Sequence, residues 1–79
     1  MVLKASAQKA LARVPQKKRE RIMLALTAIS KDPYIGKKLK GEHTGFYSIR
    51  VWPYRVVYRV YEPGRSIIIT RIGHRQGVY

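Results

Sequence analysis

The sequence predicts an α+β fold: two N-terminal helices packed on one face of a small antiparallel sheet of three or four strands. Three observations carry that expectation. Strong helix formers run from Ala7 to Arg13, and a second helical segment follows Pro15 with Ile22, Ala25, Leu26 and Ile29 at the i, i+3, i+4, i+7 spacing of one buried stripe. Beyond Gly45 the apolar period falls from about 3.6 to 2, the mark of half-buried strands. The helical half also precedes the strand half instead of alternating with it, which favours a segregated layer of helices over a parallel βαβ sheet. At 79 residues the chain is expected to form a single domain, 1–79, with a small core and no disulfide support, since it has no cysteine.

Taken in order, Val2 to Lys4 is a short apolar stretch suited to an edge strand. Ser6 suits a helix N-cap, and Ala7 to Arg13 continues with Ala7, Ala10 and Leu11 on one side. Val14-Pro15 interrupts this helix, because a residue before proline resists the helical region. Pro15 then suits the first turn of a second helix running to about Ser30, stopped by Asp32-Pro33. Lys17, Lys18, Arg19 and Arg21 crowd its start, where the helix dipole disfavours cations, and read as a solvated face. The segment Tyr34 to Gly45 reads as a loop punctuated by Gly36, Gly41 and Gly45, with Leu39 pinning it to the core. Its lysines Lys37, Lys38 and Lys40 either follow a phosphate backbone by charge alone or are simply solvated.

In the first strand of the C-terminal half, Tyr47, Ile49 and Val51 alternate with Phe46, Ser48, Arg50 and Trp52. In the next, Tyr54, Val56, Tyr58 and Val60 alternate with Arg55, Val57, Arg59 and Tyr61. A two-residue loop at Trp52-Pro53 sets Ile49 against Val56 on the core face and Arg50 against Arg55 on the other. That register is favoured because it puts both apolar sets on one side. It also opposes two like charges, which costs stability unless an anion is shared between them. Glu62-Pro63-Gly64-Arg65 has the composition of a type II turn, a type that splays hairpin strands. The register of the last strand, Ser66 to Ile72, and the face of Arg71 are therefore not fixed by the local pattern.

Composition narrows the function. Seventeen Lys and Arg against four Asp and Glu leave a net charge of +13, which draws a protein toward polyanions. The four carboxylates, Glu20, Asp32, Glu42 and Glu62, do not cluster, which argues against a two-carboxylate hydrolase or a carboxylate-bound metal. No cofactor is expected. No apolar run reaches membrane-spanning length and no signal peptide is evident, so a cytoplasmic protein without a membrane partner is expected.

Cations on strands are poor sheet formers, and their concentration in the C-terminal half points to a surface kept for binding. The groove candidates are Arg50, Arg55, Arg75, His74 and Tyr79, with Arg59 and Arg71 in support and Phe46, Trp52 and Tyr54 able to stack on bases. Arginine keeps its charge and grips phosphate with a planar fork of donors. RNA brings its own nucleophile, the 2′-OH, so such a set can cut it by electrostatic stabilisation and acid–base catalysis without metal or carboxylate. His74 is a candidate acid–base group by residue type, and a tyrosine at 79 could act if neighbouring cations favoured its phenolate.

The blocks GKKLKG at 36–41, GFYSIRV at 45–51, YRVVYRV at 54–60 and RIGHRQGVY at 71–79, with SAQKAL at 6–11, resemble RelE-type toxins of type II toxin–antitoxin systems, in the RelE/ParE superfamily. The resemblance covers nearly the whole chain. It implies a ribosome-dependent endoribonuclease, an mRNA interferase, that cuts A-site codons by metal-free 2′-OH attack and leaves a 2′,3′-cyclic phosphate. It also implies an antitoxin whose partly disordered segment wraps the toxin, which alone is a monomer and with the antitoxin a hetero-oligomer. Carried over by position, Arg55 and Arg75 match phosphate-gripping arginines, Arg50 a catalytic basic position, and Tyr79 a C-terminal tyrosine near the cleaved nucleotide. His74 precedes Arg75 in the same block, and Lys37, Lys38, Lys40, Arg59, Arg71, Phe46 and Trp52 are the expected RNA and ribosome contacts. Three departures stand out. Ser48 occupies a place where ribonucleolytic members often carry a second basic residue, a carboxylate after Tyr79 is expected beside the groove, and the first strand is expected to be short. The same fold also admits a ParE-like inhibitor of DNA gyrase, or an inactive member that only binds antitoxin.

Overall fold

The computed structural model describes residues 1–61 and 66–74. The expected turn at Glu62–Arg65, together with Arg75 and Tyr79, lies outside the described residues. The elements run β1 (Val2–Leu3), α1 (Ala5–Arg13), α2 (Gln16–Lys31), β2 (Lys37–Lys38), a 3-10 turn (Gly41–His43), β3 (Phe46–Val51), β4 (Tyr54–Tyr61) and β5 (Ser66–His74). This is the expected α+β arrangement, with a sheet of five strands in the order β1-β5-β4-β3-β2. Pairing is antiparallel except between β1 and β5, which run parallel. β1 falls on the edge strand expected at Val2 to Lys4, and the strand beyond the expected four is β2, a two-residue edge too short to have a period of its own.

Both helices form where their residues favour them, with small shifts at the ends. α1 starts at Ala5, one residue before Ser6, and Lys4 stands at its N-cap without a side-chain bond. Gln8 steadies this end by donating from Nε2 to the Leu3 carbonyl at 3.1 Å. The break at Val14-Pro15 holds: the Val14 N–H turns back to the Leu11 carbonyl at 3.1 Å, and Pro15 caps α2. Ile22, Leu26 and Ile29 of α2 are buried as the stripe requires, and Ala25 is half-buried. With Ala7 and Val14 they meet Val56, Tyr58, Ile67, Ile69 and Ile72 of the sheet in one core. α1 lies against β5 and α2 against β3, so both cover the same face. No helix among the described residues is long and apolar enough to cross a membrane.

The β3–β4 hairpin turns at Trp52-Pro53, across a cis peptide bond, and its register opposes Ile49 to Val56 and Arg50 to Arg55. Two expectations for the loop before it change. Lys37 and Lys38 are strand, paired with Ser48 and Tyr47 of β3, not irregular loop. Leu39 is half-buried on the opposite side from the core cluster and lines a surface hollow instead of pinning the loop.

A buried hydroxyl explains why this edge is ordered. Tyr58 Oη donates to the Pro33 carbonyl at 2.8 Å and accepts the Gly36 N–H at 3.0 Å, bridging the exit of α2 to the centre of the sheet. A Cβ on Gly36 would stand 2.5 Å from that oxygen and 2.9 Å from the Ser48 carbonyl, so only glycine fits. Burial pushes the Tyr58 phenol above its ordinary titration range, partly offset by the Gly36 bond. Its ring stacks on Tyr47 at 5.7 Å, and Tyr47 meets Tyr34 edge-on at the same separation.

Candidate functional site

Cross-strand partners share a face, so the register shows what the helix-free side of the sheet carries. One row across four strands reads Lys37, Ser48, Val57, Arg71. A neighbouring row reads Arg50, Arg55, Gly73, and the row on the other flank reads Phe46, Arg59, Ile68. Val57 and Ser48 are only 4% and 6% exposed, yet neither belongs to the core under the helices. They form a low floor sheltered by the longer side chains of the rows beside them. Lys37, Leu39, Ser48, Arg50 and Arg55 line a hollow of about 310 Å³ over part of this floor.

The positions of these cations follow from local rules. Arg50 and Arg55 stand one pair in from a two-residue turn, so their side chains are forced onto the same face and directly opposite each other. Arg59 lies 5.3 Å from the centre of the Phe46 ring and 4.9 Å from that of Tyr61, held between two aromatic faces. Gly45, at φ 94°, leaves room beside it: a Cβ there would approach Arg59 Nε at 3.7 Å. Chemically the hollow can receive a phosphate, with two planar guanidinium forks and an ammonium around it and little side-chain bulk at its base.

The last strand required the structure. Pairing passes from Val57–Arg71 to Tyr58–Ile69, leaving Thr70 as an extra residue in a β-bulge. The Thr70 hydroxyl donates to the Val57 carbonyl at 3.1 Å, closing the irregularity. The bulge inverts the alternation of β5. Ile67 and Ile69 point into the core before it and Ile72 after it, while Arg71 joins the cationic face.

The same inversion corrects one expectation. His74 pairs with Tyr54 and meets its ring edge-on at 6.0 Å. Tyr54 packs against the core, so both it, expected to stack on bases, and His74 belong to the face opposite Arg50 and Arg55. Of the three expected lysines, only Lys37 lines the hollow. Lys38 pairs with Tyr47 on the core side of the sheet, and Lys40 is exposed ahead of the 3-10 turn. Trp52 stands at the hairpin tip, 55% exposed, beyond the lining of the hollow. The structure thus brings together Arg50, Arg55, Lys37, Arg59, Arg71 and Phe46 on one face. The Arg75 and Tyr79 expectations lie outside the described residues.

One feature escaped the sequence reading. Met23 and Leu24, 49% and 72% exposed, lie on the solvent side of α2, beside a shallow hollow of about 610 Å³ also lined by Gln16, Arg19, Glu20 and Thr27. The signal was present in the sequence as two apolar residues off the Ile22–Leu26–Ile29 stripe.

Comparisons with known proteins match this picture along the chain. The family model describing the ParE toxin of type II toxin–antitoxin systems, parDE, matches residues 2–79. Toxin RelG of Mycobacterium tuberculosis is 32% identical over 59 residues, 73% of this chain and 68% of that protein. Among solved structures, a chain of the RelBE2 toxin–antitoxin complex from Mycobacterium tuberculosis superposes with a TM-score of 0.82 at 28% identity, covering 95% of this chain and 96% of that one. A chain of the RelB–RelE antitoxin–toxin complex from Methanococcus jannaschii gives 0.76 at 31% identity, covering 96% and 92%.

Proposed function

Because the chain belongs to the ParE toxin family of type II toxin–antitoxin systems, within the RelE/ParE superfamily, we propose that it is a ribosome-dependent endoribonuclease that cuts mRNA in the A site. The observation that carries this reading is the opposition of Arg50 and Arg55 beside a sheltered floor, with Lys37 and Arg71 at the ends of the adjoining row. Two guanidinium groups directly opposite each other weaken a sheet, and a phosphodiester between them turns that repulsion into attraction. The 2′-OH of the bound ribose attacks the adjoining phosphorus. Arg50 and Arg55 stabilise the negative charge that grows on the phosphoryl oxygens, where fixed donors act most strongly. The resemblance to RelE-type toxins adds Arg75 and Tyr79 to this set by sequence position. Arg59 and Arg71 hold neighbouring phosphates, and Phe46 and Trp52 offer ring faces to bases.

The test is primer extension on translated message after induction. Wild-type protein produces cuts within A-site codons, and Arg50→Ala with Arg55→Ala removes them while the protein stays folded. Intact message under wild-type protein overturns the reading. A second reading is favoured by the family model's own description as ParE toxin: inhibition of DNA gyrase by protein contact on the same fold. Induction then triggers a DNA-damage response with translation continuing, and the Arg50 and Arg55 variants keep their toxicity.

The relatives solved as toxin–antitoxin complexes support a cognate antitoxin as the second partner. We assign its contact to the rim of the cationic face, including Phe46 and Trp52. Protection of those residues in hydrogen exchange of the complex supports this, and a footprint confined to the Met23 and Leu24 side of α2 overturns it.

A further inference from the structure

Cleavage by 2′-OH attack needs two proton movements, and the two arginines of the hollow supply neither, because a guanidinium holds its proton throughout. The 2′-oxygen gains a bond to phosphorus and loses its proton. The bond from phosphorus to the 5′-oxygen breaks, its electron pair stays on that oxygen, and the resulting alkoxide must be protonated to leave easily. Among the described residues lining the hollow, Lys37 is the one whose cationic head can give a proton away. His74 is on the other face, and Lys38 and Lys40 are outside the lining.

Resting on the nuclease reading above, we infer that Lys37 is a catalytic residue, the general acid that protonates the departing 5′-oxygen. The structure fixes its place with unusual care for a two-residue edge strand. On one side, the Gly36 N–H donates to the buried Tyr58 hydroxyl at 3.0 Å. On the other, the Leu39 N–H donates to the Phe46 carbonyl at 3.0 Å. Between these two anchors Lys37 pairs with Ser48, so its side chain crosses the small floor residue toward the Arg50–Arg55 row. A larger side chain at 48 would fill the space the ammonium needs to reach a phosphate held there. In the step, the Lys37 ammonium passes one proton to the 5′-oxygen, becomes a neutral amine and recovers a proton from solvent. The 2′-OH proton leaves to a water of the site.

The experiment uses ribosomes programmed with a short mRNA carrying, at the linkage that wild-type protein cuts, either the normal 5′-oxygen or a bridging 5′-sulfur. A thiolate leaves without protonation, so it removes the need for an acid. Lys37→Ala is expected to slow cleavage of the oxygen substrate by about 10²–10⁴-fold, the usual range for general acid–base catalysis, and to cut the sulfur substrate close to the wild-type rate. Lys37→Arg keeps the charge and withholds the proton. It is expected to show the same split, which separates proton donation from simple attraction. Arg55→Ala is expected to be slow on both substrates. Equal slowing of the two substrates in both Lys37 variants, or a wild-type rate on the oxygen substrate, overturns the assignment. If wild-type protein cuts neither substrate, the nuclease reading itself fails and the role of Lys37 with it. Circular dichroism of each variant identifies any that has not folded, and Lys37→Arg, on an exposed position, then carries the comparison.

Discussion

The two faces of β4 make the clearest contrast in the molecule. Val56 and Tyr58 point toward the helices and are fully buried, while Arg55, Val57 and Arg59 alternate with them on the other side. One strand therefore carries two jobs at a spacing of two residues. The inner face follows ordinary packing, with apolar side chains meeting the Ile22–Leu26–Ile29 stripe and a hydroxyl whose two bonds are both made within the protein. The outer face breaks the rules of sheet stability, opposing Arg50 to Arg55 and placing cations at both ends of the next row. What the inner face loses on mutation should be stability, and what the outer face loses should be activity.

The largest effect is expected on the inner face. Ile69→Ala removes a fully buried side chain at the centre of the core and should cost roughly 2–5 kcal/mol, read as a fall in the urea midpoint. For so small a chain this approaches the whole stability. Arg55→Ala should lower the rate of A-site cleavage by about 10²–10³-fold, as loss of a fixed transition-state donor does, and shift the urea midpoint far less than Ile69→Ala. A drop in midpoint comparable to that of Ile69→Ala would erase the division between the faces.

Tyr58→Phe tests the one inner-face residue that serves both. It leaves the Pro33 carbonyl and the Gly36 N–H without their partner, at about 1–3 kcal/mol, and frees the strand that carries Lys37. Cleavage should fall along with stability. The pH dependence has a definite sign. Because burial raises the folded-state titration of Tyr58 above its ordinary 10.0, the unfolded chain loses this proton first as pH rises. The contribution is full below about pH 10 and is lost above it, so the stability gap between wild type and Tyr58→Phe should narrow in alkaline denaturation series.

The smallest effect sharpens the contrast most. Arg50→Gln removes the like-charge opposition and should raise stability by about 0.2–1 kcal/mol, a gain that shrinks with added salt, while cleavage is lost. A destabilised Arg50→Gln would mean that the arginine pair supports the sheet after all.

Much of the site was legible from local pattern. The period-two alternation and the two-residue connection at Trp52-Pro53 were enough to oppose Arg50 to Arg55, because a short turn leaves a hairpin one parity. The helical stripe and the break at Val14-Pro15 were legible for the same reason: each is set by residues a few positions apart. The cationic excess, which points to a polyanionic partner, needs no structure at all.

Two features were decided only when distant segments met. Alternation alone would put Arg71 with Ile69 inside the core. The bulge at Thr70, closed against the Val57 carbonyl, turns Arg71 outward and sends His74 to the opposite face. Nothing in the residues of β5 by themselves marks where that extra residue falls, since it is the partner strand that selects it. Likewise Lys37 and Lys38 have no strand period to read. They pair with β3 because a tyrosine 22 positions beyond Gly36 captures its N–H. Side-chain chemistry and short-range spacing are written in the sequence; which lysine faces the arginines is a long-range hydrogen-bonding outcome, and only the folded chain contains it.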